Sequence, residues 1–359
     1  MIQRELTGAV VGNAWWGKLK SKIRTFAADF SRRLNLDRRA AQTALEEKVD
    51  RAVKSRVSGD IVLAKAELAS LLIKKDQALV VRARLKRMSS EATNMAAELR
   101  AEENRNADKR HIACVTLPDK RTVTTSAGIC EAFRLFFQDL FTREPGLSSA
   151  QFDAYLADFP CLEAAEAARC EGPITESEIW DALKQVGLDK SPGLDGLPYE
   201  VYLRLSPIFV PLLQLIYNHW MRQGSLPRRF TRGVIKLLRK DKNGGDGLGN
   251  FRPLTMLNTD LKILAKILAN RLQLVLSRLI GPEQTCAVKG RTIQDNLHMV
   301  RLILEQVDSE AALINLDQSK AFDRVDHRFL EAVLSAAGFG ADFRSWIRLL
   351  YASPVRWWK

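Results

Sequence analysis

Apolar residues recur every three or four positions, with charged residues between them, in residues 44–57, which is the spacing of one face of an α-helix. This stretch belongs to a longer region, residues 15–110, that we predict to be helical. This region has few glycines or prolines and is rich in alanine, leucine, lysine, arginine and glutamate, so it favours helix throughout. Residues 111–141 predict two short strands around the turn "PDKR", followed by an amphipathic helix. We interpret the phenylalanines of that helix as core residues, because packing alone explains their helical spacing. They are Phe133, Phe136, Phe137 and Phe141.

The next segments carry start signals for helices. Thr175 and Glu178 form a capping-box pattern at the start of a helix that we expect to end at Gly187. The stretch "DKSPGLDGLPYEVY" follows, and its prolines, glycines and aspartates predict a structured loop. A buried helix over residues 205–220 then begins with Ser206 as N-cap and Pro207 at the first helical position.

Residues 233–257 predict a β-hairpin, with two apolar arms around a long glycine-rich loop. Residues 261–280 predict an amphipathic helix whose polar side includes Arg271. Residues 313–316 are an apolar run that reads as a buried strand, with Asp317 at its end. A last helix is expected over residues 327–339, capped by Asp326.

The charge pattern points to a polyanionic partner. The chain has 359 residues, a net charge of +13 and 46% hydrophobic residues, which is typical of a folded basic protein. Residues 1–110 hold 24 basic and 14 acidic residues, residues 111–188 hold 6 and 12, and residues 189–300 hold 17 and 8. Two basic segments around an acidic one indicate at least two different surfaces. The basic cluster "RARLKR" could grip nucleic-acid phosphates or be a solvated helix face, and its cations are Arg82, Arg84, Lys86 and Arg87.

Other classes are disfavoured by composition. The five cysteines are scattered and include no CxxC pair, so a zinc site and a disulfide framework are not expected. No signal peptide or membrane-spanning apolar stretch is visible, and we expect an intracellular location.

Asp317 is the candidate for chemistry. A carboxylate at the end of a buried strand suits a metal-dependent phosphoryl-transfer site, because the strand fixes its position and leaves the open end to substrate phosphates. A lone aspartate there could equally cap a turn.

The order of the surrounding motifs bears on the choice between a metal-binding role and a capping role for Asp317. "SPGLDG" precedes a basic hairpin with "NFRPL", then "KILAKILANRL", "GR" and "LDQSKAFDRVDH". This succession, over about residues 174–359, resembles the reverse transcriptase of LINE-type, non-long-terminal-repeat retrotransposons. The resemblance implies an α+β, right-hand polymerase fold with an incomplete palm. It also implies three regions: a basic, mainly helical linker (1–110), a small mixed region (111–188), and the fingers with the first part of the palm (189–359).

The resemblance further implies roles for single residues. Asp317 matches the first catalytic aspartate and would bind Mg²⁺ together with the backbone carbonyl of Gln318, which also lies at the nucleotide site. Phe322 matches the steric gate that excludes a 2′-hydroxyl, although a core phenylalanine would look the same. Lys240 and Arg252 match the fingers hairpin that grips the triphosphate, with Arg239 and Lys236 as rival cations. Arg291 matches a basic fingers position near template or nucleotide.

The implied partners are an RNA template, a DNA primer and deoxynucleoside triphosphates, with no membrane, and a complete relative is expected in nucleus and cytoplasm. The adjacent aspartate pair of the family is absent from this sequence, so we expect this chain alone not to polymerise. Three readings remain open at this stage: a reverse transcriptase fragment, a non-catalytic nucleic-acid-binding module derived from one, and a protein whose site is completed by a partner chain.

Overall fold

A computed structural model describes most of the chain. The described residues are 13–83, 111–142, 146, 148–240, 245–306, 312, 314–352 and 356–358. Within them, helices dominate and strands are few and short, which is compatible with the α+β class expected from the sequence.

The helices follow one another in chain order. They are α1 Asn13–Ser55, α2 Ser58–Ala83, α3 Ser126–Phe141, α4 Ser149–Tyr155, α5 Ala164–Ala168, α6 Glu176–Lys184, α7 Tyr199–Arg204, α8 Ser206–Gln223, α9 Arg228–Thr231, α10 Thr259–Gln273, α11 Leu276–Leu279, α12 Ile293–Gln306, α13 His327–Ala336 and α14 Ala341–Tyr351.

Two small sheets hold the strands. β1 (Val115–Thr116) pairs with β2 (Thr122–Val123) across the predicted turn. β3 (Gly233–Arg239) and β4 (Phe251–Met256) form the predicted antiparallel hairpin, and β5 (Arg356–Trp358) pairs with β3 in parallel. The order in the second sheet is therefore β4-β3-β5.

The chain divides into two compact units, Lys22–Thr124 and a second that combines Met1–Ser21 with Thr125–Lys359. In the first unit, α1 and α2 form a helical hairpin that turns at Arg56, which takes a positive φ. Ala52 and Ala64 are buried, while Lys48 and Glu67 form an ion pair at 2.7 Å.

Aromatic side chains fill the core of the second unit. Trp16 of α1 packs edge-on against Phe209 of α8, and Trp220 lies 4.5 Å from Phe230 between ring centroids. On α3, Phe133 and Phe137 are buried, which confirms that they belong to the core. Phe133 meets Phe251, the first residue of β4, and so fixes the hairpin against α3.

Several local predictions are confirmed. Thr175 and Glu178 form the capping box at the start of α6, and Asp326 caps α13 by accepting a hydrogen bond from the backbone N–H of Arg328. Other boundaries differ slightly. Helix α6 ends at Lys184 rather than near Gly187, and Ser206 is the first residue of α8 rather than its cap.

The strand expected over residues 313–316 is not seen. Of these positions, Leu313 lies outside the described residues, and residues 314–316 belong to no strand. The side chains of Ile314 and Leu316 are 77% and 87% exposed. A buried strand needs ladder partners and a covered face, and none of the described strands pairs with this segment.

The helical pattern predicts that Arg271 lies on the polar side of α10. In the structure its side chain is buried and only 4% exposed. Its guanidinium forms a bidentate ion pair with Glu178 and donates to the carbonyl oxygens of Cys170, Gly172 and Pro173. Arginine carries five donors in a fixed fork, and here they are matched by acceptors from one loop and one helix. No helix within the described residues combines the length and apolar character needed to cross a membrane.

Candidate functional site

The β3–β4 hairpin separates its cations by face. Leu238 lies opposite Arg252, and the backbone N–H of Lys240 donates to the carbonyl of Asn250 at 2.8 Å. Side chains alternate between faces along a strand, and opposed residues share a face. Lys240, Arg252 and Lys236 therefore lie on the same face of the hairpin, and all three are exposed. We call this face the basic face.

The rival cation Arg239 lies on the opposite face. It pairs with Asp246 at 2.7 Å, and its guanidinium carbon sits 5.2 Å from the ring centroid of Phe251. Of the two rivals considered from sequence, Lys236 is thus the one that shares a face with Lys240 and Arg252.

A cleft of about 650 Å³ lies on that opposite face of the hairpin. Ile235, Pro253 and Thr255 line it on the hairpin side, and Phe322 and Asp323 line it on the other. Phe322 is 99% exposed, so its ring is open to solvent and is not a core residue here. The structure therefore places Phe322 across the hairpin from the basic face and does not bring it together with Lys240 and Arg252.

Asp317 and Gln318 lie in an exposed segment outside any strand. Within the described part of the chain, no hydrogen bond or ion pair of Asp317 with another side chain is seen. The segment does approach the hairpin three residues later: burial lowers the pKa of Lys320, and the positive charge of Lys240 lowers it further. The ammonium of Lys320 also lies 5.8 Å from the ring centroid of Phe136 on α3.

The residues around Asp317 do not by themselves assemble a metal centre. Among the described residues, no three histidine, cysteine, aspartate or glutamate side chains converge on a possible ion. A two-metal site needs several oxygen ligands around both ions, and no such set converges among the described residues.

Arg291 is held inside its own loop. Its guanidinium donates to the carbonyl oxygens of Ile280, Gly281 and Gln284. These bonds use donors that would otherwise be available to a phosphate. Of the proposed nucleic-acid-binding cluster, Arg82 lies in α2, and Arg84, Lys86 and Arg87 lie outside the described residues.

Sequence reasoning missed a buried polar junction between β4 and α10, formed by Asn258, Thr259 and Asp260. The Nζ of Lys20 lies 2.7 Å from Asp260 Oδ2 and 2.8 Å from Asp195 Oδ2. Trp16 Nε1 donates to Asp260 Oδ2 at 2.8 Å. An Asn-Thr-Asp stretch before a helix signals a cap, so the pattern marks the position but gives no sign of the distant lysine and tryptophan.

At this junction one ammonium, that of Lys20, contacts two carboxylates, and Lys262 also interacts electrostatically with Asp195. Burial alone would lower the pKa of Lys20, but the charges of Asp260 and Asp195 outweigh it and raise the pKa above the ordinary lysine value. Burial raises the pKa of Asp260, against the opposing effect of Lys20. Lys20 is therefore a firmly held cation at neutral pH.

Comparisons with known proteins locate this chain among mobile-element proteins. Residues 239–359 match the family described as reverse transcriptase (RNA-dependent DNA polymerase). This match begins on the last residue of β3 and includes β4 and Asp317.

Named relatives cover more of the chain. The transposon TX1 uncharacterized 149 kDa protein of Xenopus laevis is 30% identical over 352 residues, which is 95% of this chain and 27% of that protein. A probable RNA-directed DNA polymerase from transposon BS of Drosophila melanogaster is 28% identical over 160 residues, 43% of this chain and 18% of that protein. The RNA-directed DNA polymerase from mobile element jockey of Drosophila funebris is 29% identical over 167 residues, again 43% and 18%.

The chain thus spans about a quarter or less of the length of these relatives. The order of motifs, the family match and the relatives agree with one another, although the strand expected behind Asp317 is missing. Residues 239–359 are therefore similar to the reverse transcriptase family, and the relatives that match the chain are proteins of transposons and a mobile element.

Proposed function

We propose that the chain is part of an RNA-directed DNA polymerase that extends a DNA primer on an RNA template with deoxynucleoside triphosphates. The observation that carries this proposal is the reverse transcriptase match, which spans both most of the basic face and Asp317.

The basic face is the proposed triphosphate contact. Lys240 and Arg252 neutralise phosphate charge, and Arg252 can do so with two parallel hydrogen bonds. Lys236 lies on the same face and adds a third cation. Gln318 is a further proposed nucleotide contact. Phe322 lines the cleft on the opposite face of the hairpin, so it is not part of the triphosphate contact, and its role at the sugar 2′-position stays a prediction from the sequence.

Asp317 is the proposed catalytic carboxylate, with Mg²⁺ as the divalent ion that it would bind together with the Gln318 carbonyl. Carboxylate and carbonyl oxygens are ligands that Mg²⁺ prefers. The described residues alone do not form a complete site for the ion.

The wider assignments belong to the same proposal. Residues 189–359 would form the fingers and first part of the palm, residues 111–188 a region leading into them, and residues 1–110 a basic linker. Arg291 and the cluster Arg82, Arg84, Lys86 and Arg87 would contact nucleic acid. The site of action would be chromosomal DNA, hence the nucleus as well as the cytoplasm.

Triphosphate binding by the purified chain tests the proposal. With an RNA–DNA primer–template present, Arg252→Ala should weaken binding of a deoxynucleoside triphosphate about tenfold, because a charge-assisted bond to phosphate is lost. Arg222→Ala is a matched control, since it removes an exposed arginine from α8. Equal affinities of the two variants would overturn the role of the basic face.

A second candidate function is a nucleic-acid-binding module without catalysis. The observation that favours it is the isolated position of Asp317, which has no converging ligands among the described residues. Primer extension separates the two: deoxynucleotide incorporation that Asp317→Ala abolishes supports the polymerase. Tight, salt-dependent duplex binding without triphosphate binding supports the module.

A further inference from the structure

The loop that contains "SPGLDG" is held from two sides by buried side chains. On one side, the backbone N–H of Asp195 donates to Asn258 Oδ1 at 3.3 Å, and Thr259 Oγ1 donates to the carbonyl of Leu197. Gly193 allows this close approach, because a Cβ there would lie 2.6 Å from the Cα of Asn258.

On the other side, the loop is held by Lys20. Its ammonium contacts the carboxylate of Asp195 at 2.8 Å, and the helical turn that carries it is anchored by Trp16 and Leu19, which are 2% and 1% exposed. The N-terminal helix thus reaches the loop through one ionic contact at the end of a buried side chain.

The same junction fixes the base of the β3–β4 hairpin. Asn258 follows β4 by two residues, and its Nδ2 donates to the carbonyl of Arg229 at 2.9 Å. Lys20 contacts Asp260 two residues further on. The loop, the hairpin base and the start of α10 therefore meet at one cluster, and the cation that contacts both of its carboxylates comes from α1.

We propose that Lys20 is a positioning residue that sets the conformation of the 191–197 loop and of the hairpin base, and through them the geometry of the basic face. Removing the ammonium leaves the buried Asp260 carboxylate and the largely buried Asp195 carboxylate without the cation that contacts both of them, and such uncompensated buried charge is strongly unfavourable. The carboxylate that can escape to solvent is Asp195, because it lies on a loop, whereas Asp260 lies in the first turn of α10. The loop is therefore the part that moves.

The consequence for triphosphate binding rests on the proposed function, but the positioning itself does not. A local change in the loop can be measured by amide hydrogen exchange whether or not the chain is a polymerase. The two proposals can accordingly fail separately.

Hydrogen exchange on the full chain tests the inference. Lys20→Met should raise amide exchange in residues 193–197 and at the base of β4 at least tenfold, with a much smaller change in α6. Lys18→Met is the matched control, since Lys18 is exposed on the same helix, and should leave both regions unchanged. A parallel rise in the loop and in α6 would mean that Lys20 acts only on overall stability, and it would overturn the proposal.

Two further variants distinguish a local change in the loop from a general loss of folding. Asp195→Asn keeps the pair of Lys20 and Asp260 and should still raise exchange in residues 193–197 severalfold; unchanged exchange contradicts the inference. Adding Asp195→Asn to Lys20→Met restores the original net charge of the cluster and should return α10 exchange toward that of the unmodified chain.

Triphosphate affinity gives the final readout. Lys20→Met should weaken binding relative to Lys18→Met, while Lys20→Arg, which keeps the cation, should recover part of it. Suppose that Arg252→Ala leaves triphosphate binding unchanged while Lys20→Met still raises amide exchange in the loop. The positioning role of Lys20 then stands and the polymerase proposal fails.

Discussion

The charged residues discussed above fall into two groups, buried and exposed. Lys20 and Arg271 are buried and satisfied by carboxylates and carbonyls, so they hold distant segments together. Lys240, Arg252 and Asp317 are exposed and contribute little to stability, which leaves them available to a ligand. The distinction is one of burial, because exposed charges interact weakly through water while buried ones interact strongly.

Arg271→Lys should destabilise the second unit by about 2–3 kcal/mol, since lysine cannot keep the bidentate bond to Glu178 and leaves three carbonyls short of donors. Chemical denaturation measures the change. Arg278→Lys is the control, because that guanidinium is 62% exposed and its loss should change stability by less than about 0.5 kcal/mol. Equal losses of stability in the two variants would show that the buried contacts of Arg271 do not stabilise the fold.

Glu178 should make stability depend on pH in the acid range. Burial alone would raise its pKa, but hydrogen bonds from Arg271 and Thr175 outweigh this and lower it. A carboxyl with a lowered folded pKa stabilises the fold above its unfolded value of about 4.3, and that contribution is lost as pH falls through the folded pKa.

Glu178→Gln should therefore lower the free energy of unfolding at pH 7. It should also flatten the decline of that free energy as the pH falls from about 5 to about 3. Urea denaturation across this range checks it, with Glu176→Gln in the same turn as control. An unaltered acid slope in Glu178→Gln would contradict the assignment.

At the scale of elements, the hairpin is the most informative feature. Its register puts the basic face and the cleft on opposite sides of one two-stranded ribbon. The hydrophobic pattern predicts the two arms, but the register decides which cations share a face, because a shift of one residue would exchange the faces.

The start of α13 offers a test of capping. Asp326→Ala should reduce stability by about 1 kcal/mol through loss of the bond that its carboxylate accepts from the Arg328 N–H. Asp326→Asn should retain most of it, because asparagine caps equally well. Thermal unfolding of the two variants gives the comparison, and similar losses would show that charge, rather than capping, dominates.

At the scale of the whole molecule, apolar surface stands out. Helix α12 buries none of its residues, and Leu297, Met299 and Ile303 are more than half exposed. Leu316 and Phe322 are exposed as well, and large apolar side chains that are open to water favour association or aggregation.

The chain should therefore bind hydrophobic dyes in the native state and self-associate at high concentration. The double substitution Leu297→Lys and Ile303→Glu should reduce both, as measured by dye fluorescence and size-exclusion chromatography. Lys65→Glu on α2, a charge change outside α12, is the control. Dye binding that does not fall in the double variant would locate the exposed surface elsewhere.

Short-range patterns along the chain were enough to predict the local elements and the resemblance to reverse transcriptases. The capping box at Thr175, the cap at Asp326, the hairpin around its glycine-rich loop and the phenylalanine face of α3 depend on neighbours a few residues apart, and such short-range rules are readable from the chain. The order of the motifs can likewise be read along the chain, and it indicated the resemblance to reverse transcriptases.

Burial and long-range contacts, by contrast, became visible in the folded structure. Lys20 and Asp260 are 240 residues apart, and Arg271 and Glu178 are 93 apart, so no local pattern relates them. The apolar run before Asp317 has the composition of a buried strand but lies exposed, because burial requires partner strands that periodicity cannot supply. Composition thus sets which residues can be buried, whereas the packing of distant segments decides which ones are.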